Sequence, residues 1–201
     1  MEQTNAILRA SQRQWDDQYS HKRWDCLKDI AELAHYCLVA GLLQYSGGNR
    51  RIVDVGCGEG LLLEQLRFYG YEYYLGLDIS SVALRMASLR YSDSKTQFVL
   101  TDVQQFCPQG EFTSIVFNEC LYYLHDPLDI VRRYTSCLTP DGVFVTSLFT
   151  STNAISTLAA QLAQEYSCVE QVTLHNTRGT WVCALSSKEE RTRRNYIDLG
   201  S

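Results

Sequence analysis

Arg51-Ile-Val-Asp-Val-Gly-Cys-Gly-Glu-Gly60, followed by Leu75-Gly-Leu-Asp-Ile79, decides the architecture of this chain. An apolar run breaks into a glycine turn, and a second apolar run ends in a carboxylate. The order is buried strand, tight turn, helix, second strand, which is the opening of a nucleotide-binding βαβ unit. Glycine spacing narrows the ligand. A dinucleotide fingerprint reads Gly-x-Gly-x-x-Gly, whereas Gly56, Gly58 and Gly60 give Gly-x-Gly-x-Gly, and Leu61 stands where the third glycine would be. Glu59 also occupies the helix start where a pyrophosphate needs bare backbone N–H groups. A carboxylate there suits a cationic or phosphate-free ligand.

Outward from that segment, residues 50–150 alternate strand and helix signals, the pattern of a parallel sheet covered on both faces. Strands are expected near 51–55, 73–78, 96–100, 113–118 and 142–149, with helices near 59–69, 81–91 and 127–138. Ser80 and Ser81 are N-cap residues for the second of these helices. Asp126-Pro127 places a capping carboxylate before a proline at the first helical position. Thr139-Pro-Asp-Gly142 is a turn signal running into Val-Phe-Val. After a helix near 154–165, Val169–His175 and Thr180–Leu185 read as two strands joined by an Asn-Thr-Arg-Gly turn.

Asp54-x-Gly56-x-Gly58-x-Gly60 on the first strand, with Asp78 ending the second, resembles the class I S-adenosylmethionine (SAM) methyltransferases over roughly residues 50–186. The resemblance implies an α/β fold: a Rossmann-like, doubly wound, seven-stranded sheet, mostly parallel, with an antiparallel C-terminal hairpin strand. It implies three segments: a helical cap or lid at 1–49, a SAM-binding domain at 50–186 and a polar tail at 187–201. It also implies cofactor contacts. Gly56, Gly58 and Gly60 would let the backbone approach the methionine part, with Asp54 and the small Cys57 beside it. Asp78, next to Ile79, would take the ribose hydroxyls. Asp102 would meet the adenine amino group, with Val103 alongside.

The fourth strand leads into Asn118-Glu-Cys-Leu-Tyr-Tyr-Leu-His125 at the sheet edge where such folds bind ligands. Asn118 and Glu119 should face the methionine half of the cofactor and the incoming acceptor. Glu119, Tyr122, Tyr123 and His125 are the candidates for the chemistry. Glu119 is expected to orient the acceptor and His125, by its ordinary pKa, to act as general base. One of the adjacent tyrosines is expected to turn into the core. Methyl transfer is an in-line displacement, so aligning the acceptor and removing its proton are what the protein must supply.

Residues 1–49 read as helical: Leu27, Ile30, Ala31, Leu33, Ala34, Cys37 and Leu38 recur at helical spacing, and Gly47-Gly48-Asn49 ends the run. Before them Trp15, Tyr19 and Trp24 lie in Gln14–Trp24. As a lid they would line the pocket, with Tyr19 joining the catalytic candidates; as a plain cap they would pack on the sheet edge. His21, His35 and His175 lack a supporting constellation and read as surface or packing residues.

Composition bounds the partners. A net charge of −5 argues against nucleic acid, which requires clustered Lys and Arg. Arg191-Thr-Arg-Arg194, the one basic cluster, reads as a solvated end. The eight cysteines form neither Cys-x-x-Cys nor a metal-ligand spacing with histidine, so no metal is expected and a cytoplasmic chain with reduced thiols is. No run of about 18 or more apolar residues exists, so no membrane span is expected. No Gly-x-Ser-x-Gly elbow is present. The stretch from Trp15-Asp through Gly41-Leu-Leu to Phe-Asn-Glu-Cys-Leu-Tyr-Tyr resembles small stand-alone bacterial methyltransferases, the nodulation-type N-methyltransferases among them. The Asn-Pro-Pro-Tyr tetrapeptide of amino-directed nucleic-acid and protein enzymes is absent. The expectation is transfer of a methyl group to a nitrogen or oxygen of a small-molecule acceptor by a monomer or homodimer. Two other readings stay open: a SAM-binding regulatory or scaffold protein without catalysis, and an NAD-linked oxidoreductase.

Overall fold

The computed structural model describes residues 11–48 and 50–188. Asn49, the Arg191–Arg194 cluster and all of the expected tail beyond Lys188 lie outside the described residues. The elements run α1 (Gln12–Ser20), α2 (Ile30–Ser46), β1 (Arg51–Val55), α3 (Leu61–Tyr69), β2 (Tyr73–Asp78), α4 (Ser81–Tyr91) and β3 (Thr96–Leu100). Then come β4 (Phe112–Asn118), α5 (Pro127–Thr135), β5 (Leu138–Phe149), α6 (Asn153–Glu165), β6 (Ser167–Asn176) and β7 (Gly179–Ser187). Short 3₁₀ turns occupy Asp25–Lys28 and Leu121–Tyr123.

The seven strands form one sheet in the order β3-β2-β1-β4-β5-β7-β6. Pairings from β3 to β5 are parallel, and β7 runs antiparallel to both β5 and β6. The seven-stranded Rossmann-like expectation is met, hairpin included.

Period-two alternation sorts side chains between the two faces. On β1, Val53 and Val55 join the cluster under α5 and α6, with Ile115, Phe117, Ile130, Val131 and Leu158. Ile52 faces the opposite way, with Val116 and Val143, and there meets Tyr36, Val39 and Leu43 of α2 and Leu63 and Leu66 of α3. Each fully buried side chain of this size contributes roughly 1.5–3 kcal/mol relative to exposure. Since α2 is packed into that core, the N-terminal segment is anchored to the sheet face on which Asp54 also lies. At its C-terminus Gly47, in the left-handed region at φ 71°, donates to Gln44 O while Gly48 N reaches Leu43 O.

The caps sit where expected: Ser80 accepts from Ala83 N, and Asp126 from Asp129 N ahead of Pro127. Thr139–Gly142 behaves differently from a free turn. It lies inside β5, where pairing jumps from Phe112↔Leu138 to Ser114↔Val143, so the turn residues form a bulge that Pro140 and Asp141 carry into solvent.

The strand order reverses between β1 and β4. Ligands in doubly wound sheets bind outside the carboxyl ends of the strands at such a point, and the site opens there.

Candidate active site

β1 ends in a loop that must hug the sheet. Gly56, Gly58 and Gly60 have φ of 73°, 53° and 79°, in the left-handed region that favours glycine. An added Cβ on Gly56 would come within 2.8 Å of Cys120 Cβ, and one on Gly58 within 2.7 Å of the Tyr19 hydroxyl. The loop is therefore backbone-lined on the cavity side. Beneath it, the Cys57 thiol packs where Gly76 of β2 leaves room, and burial pushes its pKa well above the ordinary value.

A cavity of about 890 Å³ follows the carboxyl ends of β1, β2 and β4, within the range of about 300–1,000 Å³ usual for small-molecule sites. Every sequence-expected site residue except Gly60 lines it: Asp54, Gly56, Cys57, Gly58, Asp78, Ile79, Asp102, Val103, Asn118, Glu119, Tyr122, Tyr123, His125 and Tyr19. Gly60 instead caps α3, its α-carbon facing Tyr91.

At one end, Asp78 bridges loop and helix: Oδ2 accepts from Gly58 N at 2.8 Å and Oδ1 from Ser80 N at 2.8 Å. Burial raises its pKa against those N–H bonds. Asp54 accepts from the Tyr74 hydroxyl at 2.5 Å through Oδ2. Its Oδ1 is buried and has no hydrogen-bond partner among the described residues. Burial drives the Asp54 carboxyl up to about 7, and nearby Asp78 adds to this. An unpartnered buried oxygen of this kind awaits a donor. Asp102 turns the chain after β3, accepting from Gln104 N at 2.9 Å and Gln105 Nε2 at 3.1 Å.

Glu119 follows β4 with φ 56°, a rare conformation for a residue with a side chain. Its N–H donates to Ser147 O at 3.0 Å, which fixes the turn. Its carboxylate accepts from the Tyr122 hydroxyl at 2.7 Å and the Ser147 hydroxyl at 2.9 Å. Burial nevertheless raises it to about 7. Asn118 Oδ1 is also buried without a partner. Both tyrosines line the cavity and are half-buried. Tyr122 is the one that packs against the core, yet its hydroxyl stays on Glu119. Tyr123 stands edge-on to Trp15 at 5.2 Å and Trp24 at 6.4 Å. His125 is exposed, and its backbone N–H binds Gln104 Oε1.

The N-terminal segment closes over this floor. Trp15 stacks on Trp24 at 5.6 Å, and Asp16 accepts from the hydroxyls of Ser80 and Ser81 and from Val82 N at 2.8–3.1 Å. Burial opposes ionisation of Asp16, but those donors outweigh it and hold its pKa below the ordinary value. Glu59, the loop carboxylate, is turned away from a ligand role into ion pairs with Lys28 at 2.8 Å and Arg90 at 3.5 Å.

Sequence reasoning missed the far wall. Glu32 of α2, buried at 5% exposure, lines the cavity with Tyr36, Phe149, Trp181 and, from the β6–β7 turn, Thr177 and Arg178. Arg178 Nε reaches Glu32 at 3.0 Å, and Asn176 Nδ2 donates to Ala31 O at 2.7 Å, so the hairpin clasps α2. His35 is a packing residue, fully buried and stacked on Trp181 at 5.3 Å; burial lowers its pKa to about 4. Among the described residues no group of three or more His, Cys, Asp or Glu side chains could hold a metal ion.

The sequence profile of a methyltransferase-domain family matches residues 18–200. A ubiquinone biosynthesis O-methyltransferase of Albidiferax ferrireducens is 32% identical over 120 residues, 57% of this chain and 44% of that protein. Its counterpart in Bordetella avium is 29% identical over 159 residues, 77% of this chain and 63% of that one. The chain thus spans less than two thirds of either relative's length. Among solved structures, the N-methyltransferase NodS of Bradyrhizobium japonicum WM9, in complex with S-adenosyl-L-homocysteine (SAH), superposes with a TM-score of 0.70 at 22% identity, covering 81% of this chain and 90% of that one. Magnesium protoporphyrin IX methyltransferase of Synechocystis PCC 6803 with bound SAM also reaches 0.70, at 14% identity, covering 89% and 97%.

Proposed function

The chain belongs to the methyltransferase-domain family, and on that footing we propose that it transfers a methyl group from SAM to a nitrogen or oxygen of a small-molecule acceptor. The observation that carries this reading is the single cavity shared by two groups of residues. Asp54, Gly56, Gly58 and Asp78 lie at one end of it, and Glu119 and Tyr122 line it too.

The residues fit the donor. Asp54 Oδ1, buried and unpartnered, suits its α-ammonium. The glycine backbone, which any Cβ would obstruct, suits its methionine part. Asp78 would take ribose hydroxyls, with Ile79 beside it, and Asp102 and Val103 would meet the adenine. When bound, SAM supplies a methyl group already activated by the sulfonium charge. The chain's own work is to hold the acceptor in line, exclude water and take a proton. Glu119, with a pKa near neutrality and two hydroxyl donors fixing its carboxylate, suits the proton-accepting role better than the exposed His125. Residues 1–49 are read as the lid over a 50–186 domain, with Trp15, Tyr19 and Trp24 as its inner face. A monomer or homodimer in the cytoplasm is the working assignment; among the described residues no helix is long and apolar enough to cross a membrane.

Calorimetric titration with SAH beside NAD tests the reading. Micromolar binding of SAH alone is the expected result, followed by methyl transfer to an acceptor from a screen of amines and hydroxyl compounds. Binding of NAD instead would overturn it.

A further inference from the structure

The cavity is lined by six carboxylates, Glu32, Asp54, Glu59, Asp78, Asp102 and Glu119, against one arginine, Arg178. Their partners differ. Glu59 is paired with Lys28 and Arg90, and Glu32 with Arg178. Asp78 is held by backbone N–H groups and Asp102 by Gln104 N and Gln105 Nε2. Asp54 is accounted for by the donor's ammonium under the reading above. Glu119 is left over. Among the described residues its partners are the Tyr122 and Ser147 hydroxyls and the Phe149 backbone N–H, and none is a cation. A buried carboxylate without a counter-charge is costly, and a cationic ligand removes the cost.

Around it the wall is aromatic: Tyr36, Trp181 and Phe149, with Trp181 and Phe149 in contact at 5.0 Å between ring centroids. Aromatic faces attract ammonium groups, the more so when water is excluded. Asn118 lines the same cavity, and its Oδ1, buried and unpartnered among the described residues, would accept from an N–H donor. Glu32 adds a second acid to this wall, with its charge already met by Arg178.

We propose that the acceptor is an amine on an aromatic or apolar skeleton, seated as its ammonium between Glu119 and the Tyr36–Phe149–Trp181 wall, with Glu119 as its proton acceptor. The inference rests on the methyl-transfer reading and narrows it from nitrogen or oxygen to nitrogen. The ammonium passes one proton to the Glu119 carboxylate. The freed lone pair forms the N–C bond as the methyl carbon's bond to sulfur breaks, that electron pair staying on sulfur. The product leaves as a methylated ammonium. A carboxylic acid acceptor would bring a third anion to Glu119 and Glu32, and a hydroxyl acceptor would leave Glu119 uncompensated.

The test is calorimetric and needs no turnover. Protein saturated with SAH is titrated with phenethylamine and tyramine, and with their hydroxyl isosteres 2-phenylethanol and tyrosol. The amines are expected to bind at least tenfold more tightly. Glu119→Gln should abolish that preference while leaving SAH affinity within about twofold. N-methylated product, detected by mass in single-turnover mixtures with SAM, is the accompanying positive result. Equal or tighter binding of the alcohols, or binding of neither set, overturns the amine assignment while SAH binding keeps the methyltransferase reading. A Glu119→Gln protein that loses SAH affinity but keeps the amine preference also overturns it, since Glu119 would then serve the donor. If that variant does not fold, the wild-type comparison alone decides. Failure of SAH to bind removes both readings together.

Discussion

Asp16 and Ser80 are joined by a 2.8 Å hydrogen bond that ties the N-terminal helix α1 to the start of α4. The same carboxylate takes Ser81 Oγ and Val82 N, so a residue of α1 supplies the anion that a helix N-terminus favours. Ser80 in turn donates its backbone N–H to Asp78. Attachment of α1 and placement of Asp78 therefore share one structural joint. Asp16→Ala should speed SAH release about tenfold while lowering global stability by only about 1 kcal/mol, the usual scale of a lost cap. Stopped-flow release, followed by the fluorescence of Trp15 and Trp24, measures the first quantity, and urea unfolding the second. An unchanged release rate would mean that α1 does not cover the ligand.

Tyr19 stands over Gly58 so closely that a Cβ there would meet its hydroxyl at 2.7 Å. With φ at 53° as well, Gly58→Ala is strained twice over. It should cost SAH affinity at least tenfold. Gly110→Ala is the control: Gly110 has φ 100°, lies away from the cavity and meets open space, so only stability should fall, by roughly 1 kcal/mol or more. Combining Gly58→Ala with Tyr19→Ala removes the clash but leaves the backbone strain. Partial recovery of affinity in the double variant separates the two effects.

The joints behind these predictions were unevenly legible in the sequence. The glycine turn, Asp54 and Asp78 announce themselves because a strand, a left-handed turn and a helix must follow one another within a few residues. The caps at Ser80 and Asp126 are legible for the same local reason. Asp16, Glu32 and Ser147 carry no such signal. Each meets its partner (Ser80, Arg178 and Glu119 in turn) only because distant elements fold together: α1 onto α4, α2 onto the hairpin, and β5 beside β4. In the sequence Glu32 is one polar residue among apolar ones at helical spacing, and Arg178 one residue of the Asn-Thr-Arg-Gly turn. Glu59 is legible as a carboxylate in the glycine loop, but its partners Lys28 and Arg90 lie in other segments.

Asp54 should make SAH affinity depend on pH. Burial raises its carboxyl from 3.8 to about 7, so in the free protein it is largely neutral below 7. An ammonium beside it favours the ionised form, and binding then requires loss of a proton. Affinity should rise with pH by up to about tenfold per unit between pH 5 and 7 and level off above. Asp54→Asn should flatten the profile. Stability of the free protein runs the other way, because an unfolded chain ionises Asp54 near its ordinary value and the folded one does not. That contribution is full below about pH 4 and is lost as pH rises through about 7. His35, lowered by burial from 6.5 to about 4, contributes with opposite sign between those values, which makes affinity the cleaner readout. A flat wild-type affinity from pH 5 to 8 would remove Asp54 from the ammonium site.

Tyr122 and Glu119 give the last test. The phenol donates to the carboxylate at 2.7 Å and favours its ionised form, against the burial that raises it to about 7. Other groups facing Glu119 are Glu32 and Tyr36 from α2, the Ser147 hydroxyl from β5, Tyr123 and Cys120 from its own segment, and Cys183 from β7. Glu32 carries its own partner, Arg178, so its charge on Glu119 is moderated. Tyr122→Phe removes one charge-assisted hydrogen bond, a change of about 1.5–3 kcal/mol, and should therefore move the Glu119 titration upward by about one unit or more. Carboxyl-carbon NMR on glutamate-labelled protein reads that shift without any acceptor. If Glu119 takes the proton in turnover, the rate rises with pH through about 7 in the wild type, and its midpoint moves up by the same amount in Tyr122→Phe. A shifted NMR titration with an unshifted rate profile would leave Glu119 as a seat for the acceptor and assign the proton to another group.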